Sequence, residues 1–214
     1  HVLPMFSEYA FVRQAASSGQ YGKLLGGHFK RIISDPLWLQ DFYDPQGCGG
    51  PLLDLHIHDA HFIRYLFGMP KSLFSGGRMR GEVVEYCSTI FEFDDPQLAV
   101  SASSGVINQQ GRPFTQSFEV HFEKATVLFD LAVLGGEGKP LMPLTVLDEN
   151  GEVVTPELGE SDEISPFAAE LEEMLRAVGS NTPSPLLGGE LARDAIVLAH
   201  KQTESVVNKR PVQV

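Results

Sequence analysis

The residues whose chemistry stands out lie in one short stretch, from Gly49 to His61, which reads GGPLLDLHIHDAH. On a helix, Asp54 and His58 are one turn apart and share a face, and His61 follows three residues later on that face. Because apolar residues run beside this polar line, it is costly unless it borders a cavity or is hydrogen-bonded. A carboxylate one turn before an imidazole can orient the ring and favour its protonated form. The spacing predicts an acid/base pair, and a pair that only stabilises the helix remains open.

A metal site is a second interpretation of the same residues. Residues 54–58 (DLHIH) also match the Asp-x-His-x-His strand signature of metal-dependent amidohydrolases, in which both histidines bind a metal. That signature requires an extended segment and a (β/α)₈ barrel of about 250 residues. The chain has 214 residues. The histidines outside this stretch form no second ligand cluster: His1, His28, His121 and His200. The sequence therefore favours a site without a metal.

Asp54 and His58 share a face only if a helix holds them, and residues 50–67 are predicted to form one. Pro51 suits the first turn, and Gly68 and Pro70 end the helix. Further helices are predicted over residues 7–18, with Ser7 as N-cap and Gly19 at the C-terminal end, and over 164–178 and 187–208.

After Pro70 the hydrophobic period changes from about 3.6 to 2. Strands are predicted over residues 22–33, 72–80, 83–93, 98–107, 116–122 and 126–133, with short ones around the Asn150-Gly151 turn and at 211–214. Residues 135–139 (GGEGK) are expected to be a surface loop, since a phosphate-binding loop would need a Ser or Thr next. Short connections favour an antiparallel meander. The chain is thus predicted to be an α+β domain.

Composition excludes several classes of partner. The chain has 16 Lys and Arg residues and 28 Asp and Glu residues, which gives a net charge of −12. A nucleic-acid partner is therefore not expected. Cys48 and Cys87 lack metal-ligand spacing and are interpreted as ordinary thiols. The apolar runs fall short of the roughly 20 residues that a membrane helix needs, so we expect no membrane contact and a cytoplasmic location.

The pattern Gly49-Gly50-x-x-x-Asp54-x-x-x-His58 resembles the Gly-Gly-x-x-x-Asp-x-x-x-His motif of the Gfo/Idh/MocA oxidoreductases, the family of glucose–fructose oxidoreductase and myo-inositol dehydrogenase. Residues 8–22 (EYAFVRQAASSGQYG) and 64–70 (RYLFGMP) resemble the family's entry helix and helix exit. The two predicted C-terminal helices also resemble those of the family, at Pro166, Phe167, Glu170, Ala195, Ala199 and Ser205.

The resemblance implies a C-terminal domain with a large, open, mostly antiparallel sheet and helices on one face, similar to that of dihydrodipicolinate reductase. It implies that residues 1–214 bind substrate and form oligomers, and that a Rossmann domain outside this sequence binds NAD or NADP. The sequence has no Gly-x-Gly-x-x-Gly, and the lysine of the family's Glu-Lys-Pro motif would lie in that other domain. The isolated chain is expected to be inactive.

By the same resemblance, Asp54 and His58 are the catalytic residues of an oxidoreductase that acts on the CH–OH group of a sugar, an inositol or a related polyol. Weaker candidates for substrate binding are His61, Trp38, Lys30 and Arg31. His61 departs from the family, which usually has Asp there. A homodimer or homotetramer through the open sheet face is implied. The alternative is a non-catalytic scaffolding or binding module of the same fold.

Overall fold

The computed structural model of the chain describes residues 1–159, 162 and 164–214. Its helices are a 3₁₀ turn Leu3–Met5, α1 (Ser7–Ser18), a π-helical turn Leu52–His56 that continues into α2 (Ile57–Phe67), α3 (Ser165–Ser180) and α4 (Gly189–Asn208). Its strands are β1 (Leu24–Ser34), β2 (Ser72–Arg80), β3 (Val83–Glu92), β4 (Ala99–Ile107), β5 (Phe114–Phe122), β6 (Ala125–Leu134), β7 (Glu137–Asp148), β8 (Val153–Val154) and β9 (Val212–Gln213). The predicted α+β class is confirmed.

All nine strands form one sheet in the order β8-β7-β6-β5-β1-β4-β3-β2-β9. Strand β1 is parallel to β4, and every other pair is antiparallel, which confirms the mostly antiparallel sheet. The predicted meander is wrong between β4 and β5, because β1 lies between them and pairs with both. The close approach of β1 to β4 depends on Gly26, where a Cβ atom would lie 2.0 Å from the Ala99 carbonyl oxygen.

The helices cover one face of the sheet, and alternation along the strands divides the residues between the two faces. On β5, Phe118, Val120 and Phe122 are buried, whereas the neighbouring Glu119 is exposed, as the sequence predicts. Tyr9 of α1 is fully buried in this core. Aromatic rings pack edge to face around it, at centroid distances of 5.1 Å to Phe62 and 5.0 Å to Phe118. Within the described residues, no helix combines the length and the apolar composition that crossing a membrane would require.

Two local predictions are wrong. Ser7 is the first helical residue and not the N-cap, since Phe6 precedes the helix without a side-chain cap, while Gly19 ends α1 in the left-handed conformation as predicted. The expected loop 135–139 is a two-residue turn followed by strand β7, because Gly135 and Gly136 both adopt positive φ and reverse the chain within two residues. Strand β6 therefore pairs with β7 along its whole length, from Leu134 opposite Glu137 back to Ala125 opposite Asp148.

Candidate active site

A cleft of about 640 Å³ lies between the first residues of the chain, the π-helical turn and strands β5 to β7. Its polar lining residues are Glu8, Arg31, Asp54, His58, Gln116 and Asp162. Apolar walls come mainly from Leu3, Phe6, Leu55, Phe114, Phe129 and Leu131. A few convergent polar groups in an otherwise apolar cleft are typical of a small-molecule site.

The helix that holds Asp54 and His58 begins irregularly. Gly49 and Gly50 both have φ of +77°, and the turn that follows is π-helical through residue 56, where the sequence predicted a regular α-helix. Such π segments occur often at functional sites. Asp54 is exposed on this turn and His58 is half-buried on α2, and both line the cleft. Their chemical roles stay predictions.

The helical conformation of residues 54–58 removes the basis for the metal-hydrolase interpretation, which requires a strand. His56 is buried away from the cleft, and its Nε2 lies 2.9 Å from Gln202 Nε2 on α4. Within residues 1–159, 162 and 164–214, no group of three or more His, Cys, Asp or Glu side chains is arranged to hold a metal ion.

His58 is held in its neutral form. Burial, and then the positive charge of Arg31, lower its pKa to about 4, and the carboxylate of Asp59 only partly opposes this. The expectation that Asp54 favours the protonated imidazole is therefore wrong, because the pKa of His58 is lowered and Arg31 and Asp59, not Asp54, are the side-chain charges that shift it most. Asp54 instead lies beside the Cys48 thiol, whose pKa is raised by burial and by that carboxylate. At neutral pH the imidazole of His58 is therefore neutral, and it binds a proton more weakly than an ordinary histidine does.

Arg31 lies in the cleft as part of a buried ion pair. Its Nε donates to Asp59 Oδ2 at 2.9 Å and its Nη2 to Asp59 Oδ1 at 3.0 Å, while Nη1 donates to Gln116 Oε1 at 3.2 Å. The side chains of Arg31 and Asp59 are 4% and 1% exposed, so the two charges are almost completely removed from water. Although burial acts to lower the pKa of Arg31, the Asp59 carboxylate raises it above its usual value. Asp59 thus fixes the guanidinium in one orientation at the cleft.

Asp59 and Gln116 were not predicted from the sequence. Asp59 directly follows His58, and Arg31 stands in an apolar strand between Phe29 and Ile33. Since a buried arginine requires a carboxylate partner, these two isolated charges could have been paired with each other. Gln116 carries no comparable signal, because only the β1–β5 register places it opposite Arg31.

The structure does not bring His61 into the cleft. It is fully buried behind His58, and its ring stacks on that of His1 at a centroid distance of 4.2 Å. Neither ring nitrogen has a hydrogen-bond partner among the described residues. Burial lowers the pKa of His61 to about 4.

Lys30 and Trp38 are also placed elsewhere. Lys30 lies on the open face of the sheet, where its Nζ is 3.0 Å from Asp130 Oδ2, because neighbouring residues of a strand point to opposite faces and Arg31 points to the cleft. Trp38 is 79% exposed in the loop after β1. Neither side chain lines the cleft of this chain, in contrast to the prediction.

Residues 9–128, more than half of the chain, match the model of the GFO/IDH/MocA C-terminal domain. The chain belongs to this family, as the resemblance of its Gly-Gly, Asp54 and His58 motif indicates. No curated protein sequence matches the chain.

Solved structures share the whole fold. An NAD-binding oxidoreductase from Klebsiella pneumoniae superposes with a TM-score of 0.81 at 15% identity, over 100% of this chain and 65% of its own. An oxidoreductase from Agrobacterium radiobacter, in complex with NAD⁺, L-tartaric acid and magnesium, gives 0.75 at 14% identity, over 99% and 63%. Levoglucosan dehydrogenase in complex with NADH and levoglucosan gives 0.74 at 15% identity, over 100% and 65%. The chain therefore spans less than two thirds of the length of these structures.

Proposed function

We propose that residues 1–214 form the substrate domain of an NAD- or NADP-dependent oxidoreductase that acts on the CH–OH group of a sugar, an inositol or a related polyol. The observation that carries this proposal is the common cleft of Asp54, His58 and Arg31 in a domain of the GFO/IDH/MocA family. Structures of the same fold in complex with NAD⁺, or with NADH and levoglucosan, support the cofactor and the substrate class.

The cleft fits the nicotinamide end of such a cofactor. Leu55, Phe114 and Phe129 offer apolar walls against which a planar ring can pack, and the buried Nδ1 of His58 has no partner among the described residues. The chain lacks the glycine-rich loop that holds a dinucleotide diphosphate, so we propose that a separate Rossmann domain holds it. When bound, the nicotinamide supplies the hydride acceptor.

His58, Asp54 and Arg31 then have one role each. His58, neutral at pH 7 because burial and Arg31 lower its pKa, accepts the proton of the reacting hydroxyl on its imidazole nitrogen. Asp54 accepts a hydrogen bond from a substrate hydroxyl and orients it. Arg31, immobilised by Asp59 and Gln116, donates to a further substrate oxygen. A geometry fixed in this way lowers the entropic cost of reaching the transition state.

The charge of the cleft favours neutral substrates. Glu8, Asp54 and Asp162 line it as carboxylates, whereas the charge of Arg31 is balanced by Asp59. A substrate carboxylate or phosphate would meet net negative charge there and pay for its desolvation as well. A polyol, which brings hydroxyl groups that both donate and accept, matches these partners.

We also propose that the open sheet face joins subunits into a homodimer or homotetramer. Ile90 is 64% exposed and Phe74 42% exposed on this side, among serine side chains such as Ser88 and Ser103, which hydrogen-bond to each other at 2.9 Å. Such a mixed surface is compatible with a subunit interface. Sedimentation equilibrium at high concentration tests it, and a strict monomer would contradict it.

The test of the catalytic proposal is the substitution of His58 in the complete gene product that contains these residues. We expect His58→Ala to lower kcat about 10²–10⁴-fold, the range of general acid–base catalysis. Asp54→Asn keeps the size and one hydrogen bond, so a loss of about tenfold is expected. Because Asp54 is not among the charges that shift the pKa of His58, its substitution should leave the pH profile in place. Near-normal turnover by a folded His58→Ala enzyme would refute the assignment.

A further inference from the structure

Helix α3 exposes a continuous apolar stripe. Five large apolar side chains recur at helical spacing on one side of this helix: Phe167, Leu171, Met174, Leu175 and Val178. Their exposed fractions are 51%, 60%, 52%, 73% and 79%. We call these five residues the α3 stripe. Single exposed apolar residues are ordinary, but a stripe at the 3.6-residue period is the pattern of a helix that packs against a neighbour.

The contacts of α3 with the rest of the chain use its other side. Among the residues of this helix, all of which the structure describes, Pro166 is the one that is buried. Glu170 accepts a hydrogen bond from the backbone nitrogen of His1 at 2.7 Å, and the Ser184 hydroxyl donates to Glu173. The helix is thus attached to the domain by its polar flank, and its apolar face points outward.

We propose that the α3 stripe is the docking surface of the dinucleotide-binding domain that the proposed function requires, and the inference rests on that function. The α3 stripe is continuous with the cleft. Phe167 belongs to the stripe and also lines the cleft beside His58 and Asp54. A domain that presents a nicotinamide to the cleft therefore has the stripe within its reach.

The path of the chain also leads to α3. The turn Leu3–Met5 packs against this helix, so a domain joined ahead of residue 1 would emerge beside the stripe. The solved structures of this fold contain a third or more of their length outside the part that matches residues 1–214. An interface between domains of one chain commonly buries 600–1,500 Å², which a 16-residue helix face and the cleft rim can supply together.

The charge around the stripe disfavours a second copy of this chain as the occupant. The stripe is flanked by Glu170, Glu172 and Glu173, and Arg176 is already paired with Glu173 at 2.7 Å. Two stripes packed on each other would bring these carboxylates together, and like charges across an interface oppose association. A domain with a neutral or basic rim meets no such repulsion.

The test compares thiol labelling of the stripe in the 214-residue chain and in the complete gene product. Leu175→Cys reports on the stripe, and Gln97→Cys, in the exposed turn between β3 and β4, is the matched control. Both are made with Cys48→Ser, since Cys87 is buried. We expect equal rates with a maleimide in the 214-residue chain. In the gene product, Leu175→Cys should react at least about tenfold more slowly, because labelling then requires the interface to open.

A second variant separates docking from misfolding. Adding Leu171→Glu to the Leu175→Cys gene product should restore fast labelling without lowering the melting temperature of the 214-residue chain, in which Leu171 is exposed. Equal labelling of Leu175→Cys in both forms would overturn the docking proposal, as would protection that disappears on dilution, which identifies a second copy. A gene product that oxidises a polyol but leaves the stripe reactive refutes the docking alone. A gene product that leaves the stripe reactive and also binds no nicotinamide cofactor refutes both the docking proposal and the proposed function.

Discussion

Helices α2 and α3 use their apolar residues in opposite ways. In α2, Ala60, Phe62 and Ile63 are fully buried, and the charged Asp59 among them is neutralised by Arg31. In α3, the apolar residues at the same helical spacing face solvent. Both helices are amphipathic in sequence, yet only α2 has its partner within the residues that the structure describes.

The difference shows which parts of the domain are complete by themselves. The environment of α2 satisfies both its apolar and its charged side chains, so the orientation of Arg31 and the neutrality of His58 are properties of this chain alone. The environment of α3 leaves apolar surface unburied. The favourable free energy of burying that surface is gained only when another surface covers it. The candidate site lies where the two regions meet, at His58 and Phe167.

Among the substitutions that test this contrast between α2 and α3, the largest loss of stability is expected at Asp59. Asp59→Asn leaves the buried guanidinium of Arg31 without a counter-charge, so we expect a loss of about 3–5 kcal/mol of unfolding free energy. Urea denaturation of the 214-residue chain measures it. The double substitution Arg31→Met with Asp59→Leu removes both charges and should recover more than half of the loss. If Asp59→Asn alone melts like the native chain, the pair does not stabilise the α2 region.

A smaller effect is expected from acid. Burial lowers the pKa of His58 and of His61 to about 4, from the usual 6.5. The stability that comes from keeping these imidazoles neutral is fully present above pH 6.5 and is lost as the pH falls through 4, by up to about 3 kcal/mol for each ring. Unfolding free energies measured between pH 7 and pH 4 test this, with His61→Gln as the variant that should reduce the slope. A flat profile across this window would show that both histidines are protonated freely in the folded state.

The smallest effect is expected at α3. In the 214-residue chain, Leu171→Glu together with Leu175→Glu should change the unfolding free energy by no more than about 0.5 kcal/mol, as for other surface substitutions, because both side chains are exposed. Differential scanning fluorimetry beside the native chain measures it. A strong loss of stability would mean that the stripe packs within this domain and that the contrast with α2 is wrong.

The sequence predicted most of the secondary structure, because its signals are local. Strand β2 and helix α1 have the predicted bounds, and the change of period after Pro70 correctly marks the start of the run of strands from β2 to β7. The alternation of Phe118, Val120 and Phe122 gave the buried face directly. The place of Asp54 and His58 on one helix followed from motif and spacing.

What the sequence could not predict depends on distant pairing. The insertion of β1 between β4 and β5 is fixed by registers that join residues 73 to 98 positions apart, and these registers decide that Gln116 meets Arg31. The separation of Lys30 from Arg31 is of a different kind, because it follows from the sequence. Side-chain alternation along a strand allows only one of these two neighbours to face the helices.

The central claim is that residues 1–214 contain one half of an active site, and turnover tests it most directly. NAD or NADP reduction is measured with a panel of sugars, inositols and related polyols, using the 214-residue chain, the complete gene product and its His58→Ala variant. The account predicts reduction by the gene product with at least one polyol, none by the 214-residue chain, and a loss of about 10²–10⁴-fold in the variant. Turnover by the 214-residue chain alone would contradict it, and so would a gene product that binds the cofactor but oxidises no polyol.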